Sequence, residues 1–461
     1  MIPQLLRSYR QGRQPLEGIP GPSTRSYFHF AKSMKQDPLG YMGQLMRDHG
    51  DIVQIPTPLI LLVQVTDPEL IGKVLVGTEK NNTRSIGYRR LQALLGEGLL
   101  TSSGEQWKIQ RKLANPAFHH KKLADFFQTI TAETQKMIDD WQVQLKKHPE
   151  LDISQQMSRL TFTIIVKVLF SIDLSTQAEK VSEALAVLQE YANYLFYAIS
   201  PLPLWVPTLS NMRAKKALQT LDQIVYQIIA EHKKAPDRYQ DLLSAYLQAK
   251  DEETGQGMSD KLLRDEVITL MLAGHDTTAS SISLCLYLLA NHPEIQERLY
   301  QENQLVTQKL GLNDQSVQEL NFQDQVFSET MRLYPAAWGL GRESTAEIRH
   351  QSYVFPKKTT FFLVQYLTHR NPRYWQDPDA FQPERFQAEN VKQQQRFAYF
   401  PFGGGLHTCI GAGLARLESQ IIISSLLQQF RFDPIPDHQF RIHPRISLTL
   451  NPGVKLRLSQ R

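Results

Sequence analysis

Read for its pattern of apolar and polar positions, the chain first shows two short apolar runs, Asp51 to Ile55 and Leu59 to Val65, separated by Pro56 and Pro58. That spacing predicts a β-hairpin. Thr66-Asp67-Pro68-Glu69 follows, with a capping residue, proline at the first helical position and an acid in the first turn, so a helix is expected there. From about residue 120 to about 300 the apolar period is helical, with Asp and Ser caps. The longest such stretch runs from Ser259 to Asn291 and stops at His292-Pro293; at 1.5 Å per residue it spans roughly 45 Å. Strand signals return around Val354, Phe361 to Gln365 and Ile446 to Leu450. The fold class expected is mainly α with small β-sheets. Residues 194–207 form the most apolar stretch, and Pro201, Pro203 and Pro207 forbid a continuous helix through it. It reads either as a buried loop between two core helices or as an apolar lid over a substrate channel.

Composition narrows this picture in a few places. The 461 residues contain no linker, repeat or low-complexity stretch, which favours one large domain, 18–461, behind an N-terminal extension, 1–17. In that extension Arg7, Arg10 and Arg13 interrupt the apolar residues before they reach membrane-spanning length, so no anchor is expected. The net charge of +5, from 51 basic and 46 acidic side chains, is too balanced to call for nucleic acid. The two cysteines, Cys285 and Cys409, have no CxxC spacing; a disulfide framework and a structural zinc site are both disfavoured, and a reducing, cytoplasmic setting fits.

Candidate chemistry is concentrated near the C-terminus. Phe402-Gly403-Gly404-Gly405-Leu406-His407-Thr408-Cys409-Ile410-Gly411 is a glycine-rich loop that delivers one cysteine just before a helix. Glycines permit backbone conformations closed to other residues, and loop amides with a helix start favour a thiolate, the state that ligates haem iron. A small buried thiol is the alternative. On the long helix, Ala273, Gly274, Thr277, Thr278 and Ser281 share a face of small side chains, which suits either a flat macrocycle or helix packing; Cys285 reads as core. Glu329 and Arg332 stand at i and i+3, and Trp107 and Arg111 at i and i+4. Lys108, Arg111, Lys112, Lys121 and Lys122, with His119 and His120, make a basic run that is either a solvated face or a docking surface for an acidic electron donor. No GxGxxG follows a strand, so electrons are expected from a separate protein.

The cysteine loop resembles the haem-ligand loop of the cytochrome P-450 family, with His407 where arginine is more usual, and the chain looks like a bacterial-type member. Ala273-Gly274-His275-Asp276-Thr277-Thr278 resembles that family's oxygen-activation motif, which implies proton delivery by Thr277 and Asp276. Glu329 and Arg332, with Arg385 in Pro383-Glu384-Arg385-Phe386, resemble its buried structural triad. By the same resemblance Cys409 is the axial ligand of haem b, and Trp107, Arg111, Arg342 and His407 hold the propionates. Phe402 packs beside the sulfur. Substrate-facing zones fall near Tyr88 to Leu100, near Phe196, on the central helix and at Ala336 to Leu340. The resemblance implies a monooxygenase that inserts one oxygen atom from dioxygen into an apolar substrate of the fatty-acid, terpenoid or sterol class. It also implies electrons from a ferredoxin or flavoprotein, and a region 194–207 able to touch a membrane. A peroxygenase or hydroperoxide-rearranging enzyme would share fold and ligand without needing the proton relay. A haem sensor or carrier would need no turnover.

Overall fold

The structure, a computed structural model, describes residues 16–461 apart from 17, 24–26, 56, 58–59, 78–81, 175–177, 198–200, 251–254, 256 and 312. The expected extension 1–17 therefore lies outside the described residues except for Leu16. Two compact units are drawn from interleaved stretches: Met1–Arg89, Met331–Phe381 and Arg385–Cys409 form one; Arg90–Thr330, Gln382–Glu384 and Ile410–Arg461 form the other.

The first unit is built on a five-stranded sheet ordered Ile52–Ile55, Leu61–Val65, Thr359–Leu363, Leu340–Ser344, Asn82–Arg84. The expected hairpin is present, with Ile52 opposite Val65 and Ile55 opposite Leu62. Leu61–Val65 pairs in parallel with Thr359–Leu363, and the other neighbours are antiparallel. Asp67 caps Pro68–Val76 by accepting from the Leu70 amide at 2.7 Å, as its sequence dictates. This helix buries Leu70, Ile71 and Val74 on a core with Val63, Phe361 and Phe400.

The second unit is helical. Asp260–Asn291 is its longest helix; Ser259 caps the start by accepting from the Leu262 amide at 3.2 Å. Burial around most of its circumference marks it as an interior helix. Ile153–Phe170, His120–Leu145, Leu209–Lys234 and Ala412–Gln429 belong to the same unit. Small sheets finish it: Lys455–Gln460 pairs with Glu150–Asp152 and Phe430–Pro434, and Arg441–Pro444 pairs with Leu448–Asn451.

Several expectations shift. The strand expected over Phe361 to Gln365 is Thr359–Leu363, and Gln365 opens a one-turn helix instead. The strand expected from Ile446 begins at Leu448, because 445–447 make the hairpin turn. Short strands such as Asn82–Arg84, Glu150–Asp152 and Ile348–His350 gave no apolar alternation to find. Residues 201–207 do not form a buried loop: Trp205 is 75% exposed. The segment is held by Asn211, whose amide donates to the Pro203 and Val206 carbonyls at 2.8 Å each. Residues 198–200 of this stretch lie outside the described residues. Among the described residues one helical stretch, Gly405–Gln429, is long and apolar enough to cross a membrane, and 56% of its apolar window is buried.

Candidate functional site

The cysteine loop in the first unit is shaped by two glycines in the left-handed region, Gly403 at φ 74° and Gly405 at φ 67°. A Cβ on Gly405 would also lie 2.0 Å from the Leu75 carbonyl oxygen, so no other residue fits. The Cys409 amide donates to the Phe402 carbonyl at 2.9 Å and the Gly403 amide to Phe400 at 2.8 Å, closing the loop on itself. Support comes from beneath. His369 Nε2 accepts from the Phe400 amide at 3.0 Å, and the Gln365 side-chain amide donates to the Phe400 carbonyl. His369 is fully buried; desolvation first, then the charges of Arg332 and Arg370, push its pKa down to about 3, so its imidazole is neutral. Cys409 is exposed and in no disulfide, and Phe402 is half-buried.

Beside this loop the first unit gathers donors suited to carboxylates. Arg342 is 5% exposed and makes no ion pair among the described residues; burial lowers its pKa, an effect opposed by Tyr88. Its strand partner is Arg84, and the Arg84 guanidinium stands 3.4 Å from His407 Nδ1. Arg84 was not singled out from the sequence, since the contact joins residues 323 apart.

The three residues of the expected triad are all held by backbone. Arg332, 0% exposed, donates to the carbonyls of His369 at 2.8 Å, Pro378 at 2.7 Å and Ala380 at 3.0 Å. Arg385 donates to the Asp377 carbonyl at 2.8 Å. In the second unit the buried Glu329 carboxylate accepts from the Gln382 amide at 2.9 Å. Each ties a helix end or turn to the chain around 369–382.

On the central helix Thr277 is half-buried, and its hydroxyl donates to the Ala273 carbonyl at 2.8 Å. Asp276 turns elsewhere: its Oδ2 accepts from the Ser447 hydroxyl at 2.6 Å. The small-residue face is not a single surface. Gly274 packs on Ile165, where an added Cβ would lie 2.7 Å from Cδ1, and Thr278 and Ser281 are buried; Gly274 thus serves helix packing, while Ala273 is exposed. His275, left open by the sequence, is buried with Nε2 2.7 Å from the Ser158 hydroxyl, and burial lowers its pKa. Cys285 is core, its pKa pushed up to about 12 by burial.

Trp107 and Arg111 share the helix Gly104–Ala114, Trp107 buried and Arg111 half-buried. Of the basic run, Lys108 pairs with Glu105 at 2.6 Å and Lys122 with Asp125 at 3.3 Å, so neighbouring acids offset part of its field; the Lys121 side chain lies outside the described residues. Further along the central helix, Glu266 is fully buried against the Leu99 amide at 3.2 Å; desolvation raises its pKa to about 8, with Asp265 adding to the rise.

A glycine-shaped loop that presents an exposed thiol beside buried guanidinium groups is compatible with a haem-thiolate site, and comparison with known proteins gives the family. The family model "Cytochrome P450", written here P-450, matches residues 17–457. The chain is 32% identical to cyclooctatin synthase of Streptomyces melanosporofaciens, with 91% of each chain covered. It is 30% identical to cyclooctat-9-en-7-ol 5-monooxygenase of the same organism, over 87% of this chain and 86% of that one. Among solved structures, the cyanobacterial CYP120A1 with retinoic acid bound superposes with a TM-score of 0.84 at 24% identity, covering 97% of this chain and 100% of that one. The chain belongs to the cytochrome P-450 family and is a haem monooxygenase, using dioxygen, an organic substrate and a redox partner. Its own residues fit the cofactor: Cys409 offers a sulfur ligand, and Arg342, Arg84 and His407 offer donors for carboxylates.

Proposed function

We propose that this enzyme inserts one oxygen atom from dioxygen into a lipophilic substrate, a terpenoid before a fatty acid or sterol, with electrons from a separate ferredoxin or flavoprotein. The relative acting on cyclooctat-9-en-7-ol and the neighbour solved with retinoic acid support that order of substrates. The proposal rests above all on Cys409, held at the end of a loop whose backbone only glycine can adopt. Haem b, when bound, supplies the iron at which dioxygen is activated. Cys409 would ligate it; Arg342, His407, Trp107 and Arg111 would hold its propionates, joined by Arg84. Phe402 would limit access of water to the sulfur. Thr277, whose hydroxyl donates to the Ala273 carbonyl, would be freed to donate its proton, and Asp276 would renew it; general acid work needs such a donor held in place. Glu329, Arg332 and Arg385 brace the surrounding backbone. Residues 18–461 act as one catalytic domain in the cytoplasm, without nucleic acid. Contact with an anionic lipid surface is also proposed, since Trp205, Leu209 and Met212 are exposed beside Arg213, Lys215 and Lys216.

The test is spectroscopic. Reduced under carbon monoxide, the protein should show the strongly red-shifted Soret band of a thiolate-ligated haem; Cys409→Ser should abolish the band and Cys285→Ser keep it. A normal band in Cys409→Ser overturns the assignment. A panel of isoprenoids, fatty acids and sterols, read by the Soret shift on binding and by product formation, ranks the substrate classes.

A further inference from the structure

The hairpin Arg441–Pro444/Leu448–Asn451 is fastened to the central helix at two points. At its base Phe440 meets Tyr287 edge-on, with ring centroids 4.8 Å apart and planes at 80°. At its turn the Ser447 hydroxyl donates to Asp276 Oδ2 at 2.6 Å. Asp276 and Tyr287 are separated by roughly 16 Å along the helix axis, a distance that the extended chain from Phe440 to Ser447 spans easily. The hairpin therefore lies along the helix with its turn at the level of the acid–alcohol pair. Asp276 and Thr277, adjacent in sequence, point about 100° apart around the helix axis. The alcohol is bonded to its own helix and the acid to the hairpin, so the two polar groups of the pair are held by different elements. A hydroxyl–carboxylate bond of this length is charge-assisted and among the stronger ones a side chain makes.

We propose that Ser447 is the positioning residue for Asp276: its hydroxyl fixes the carboxylate in the orientation from which protons pass to Thr277. This rests on the relay reading given above. Asp276 faces Ser447 from the hairpin and His275 and Thr277 from its own helix; His275 is committed to Ser158, and among the described residues Ser447 is the side-chain donor recorded on the carboxylate. Without that donor the carboxylate rotates freely about its side-chain bonds, and the fraction of time it spends correctly aimed falls.

The test uses the holoenzyme labelled with ¹³C-carboxyl aspartate. Infrared difference spectra of the resting state, parent minus Ser447→Ala, should show one shifted carboxylate stretch that is absent when the same pair is compared in an Asp276→Asn background. In turnover, product formed per electron consumed should fall about five-fold in Ser447→Ala, the loss expected for one hydrogen bond. It should return in Ser447→Thr, which keeps the hydroxyl, and stay at the parent level in Thr449→Val, which removes only a bond internal to the hairpin. An unmoved carboxylate band, or a moved band with parent coupling while Asp276→Asn is uncoupled, overturns the role of Ser447 alone. Parent coupling in Asp276→Asn overturns the relay reading, and the proposal falls with it.

Discussion

The loop Phe402 to Cys409 and the helix segment around Thr277, the two segments to which the proposed function assigns the chemistry, are built on opposite plans. In the loop the backbone itself is unusual: two left-handed glycines, a carbonyl packed against Gly405, and side chains of Gln365 and His369 bonded to the backbone beneath. In the helix the backbone is regular, and the hydroxyls of Thr277 and Ser281 bond to carbonyls one turn back, bonds that break and reform at little cost. A metal ligand must hold one position against strain, whereas a proton donor must change partners at every turnover. Under the proposed roles, the two constructions match those two demands.

The contrast is sharpest between two glycines. Gly405→Ala must place a Cβ against backbone at a positive φ, so the loop cannot form and the red-shifted carbon monoxide band should be lost. Gly274→Ala meets Cδ1 and Cγ1 of the Ile165 side chain rather than backbone, so that side chain must shift; this variant should keep a full complement of haem and lose about 1–3 kcal/mol in urea unfolding. Loss of haem in Gly274→Ala, or retention in Gly405→Ala, would break the comparison.

The brace beneath the loop comes next in size. Arg332→Ala strands three carbonyls, that of His369 buried and those of Pro378 and Ala380 partly buried, and unfolding experiments should show a loss of about 3–5 kcal/mol. Arg332→Lys should recover little, because one ammonium cannot reproduce the planar fork. A lysine variant as stable as the parent would mean that charge rather than geometry holds this region.

A more gradual effect, spread over several pH units, separates the two units. His369 has its folded pKa depressed from 6.5 to about 3, so the unfolded chain takes up the proton first; its contribution is complete above 6.5 and lost as pH falls toward 3. Glu266 has its folded pKa raised from 4.5 to about 8, so the folded protein keeps the proton longer; its contribution is complete below 4.5 and lost as pH rises toward 8. Each gives a slope of at most about 1.4 kcal/mol per pH unit. Stability measured from pH 3 to 9 should flatten on the alkaline side in Glu266→Gln and keep its acid side. A parent-like alkaline slope in that variant would remove Glu266 from the account.

What could be read along the chain was whatever depends on neighbours a few residues away. The caps Asp67 and Ser259, Pro68 at a helix start and the stop at His292-Pro293 all stand where the pattern put them, because a cap bonds within its own turn. The cysteine loop was legible for a similar reason: its glycines and its thiol are consecutive, and their spacing limits what the backbone can do. Tertiary structure decided the rest. Ser447 reaches Asp276 across 171 residues, Arg84 reaches His407 across 323, and Gly274 packs on Ile165 of another helix. No local period encodes such meetings, since a serine in a turn or an arginine at a strand end reads the same whatever it faces. The sequence by itself determined the long helices with their caps, the first hairpin and the family resemblance. Only packing decided which hydroxyl meets the acid, which arginine joins the histidine, and that Trp205 stands in solvent, because these depend on where distant segments come together.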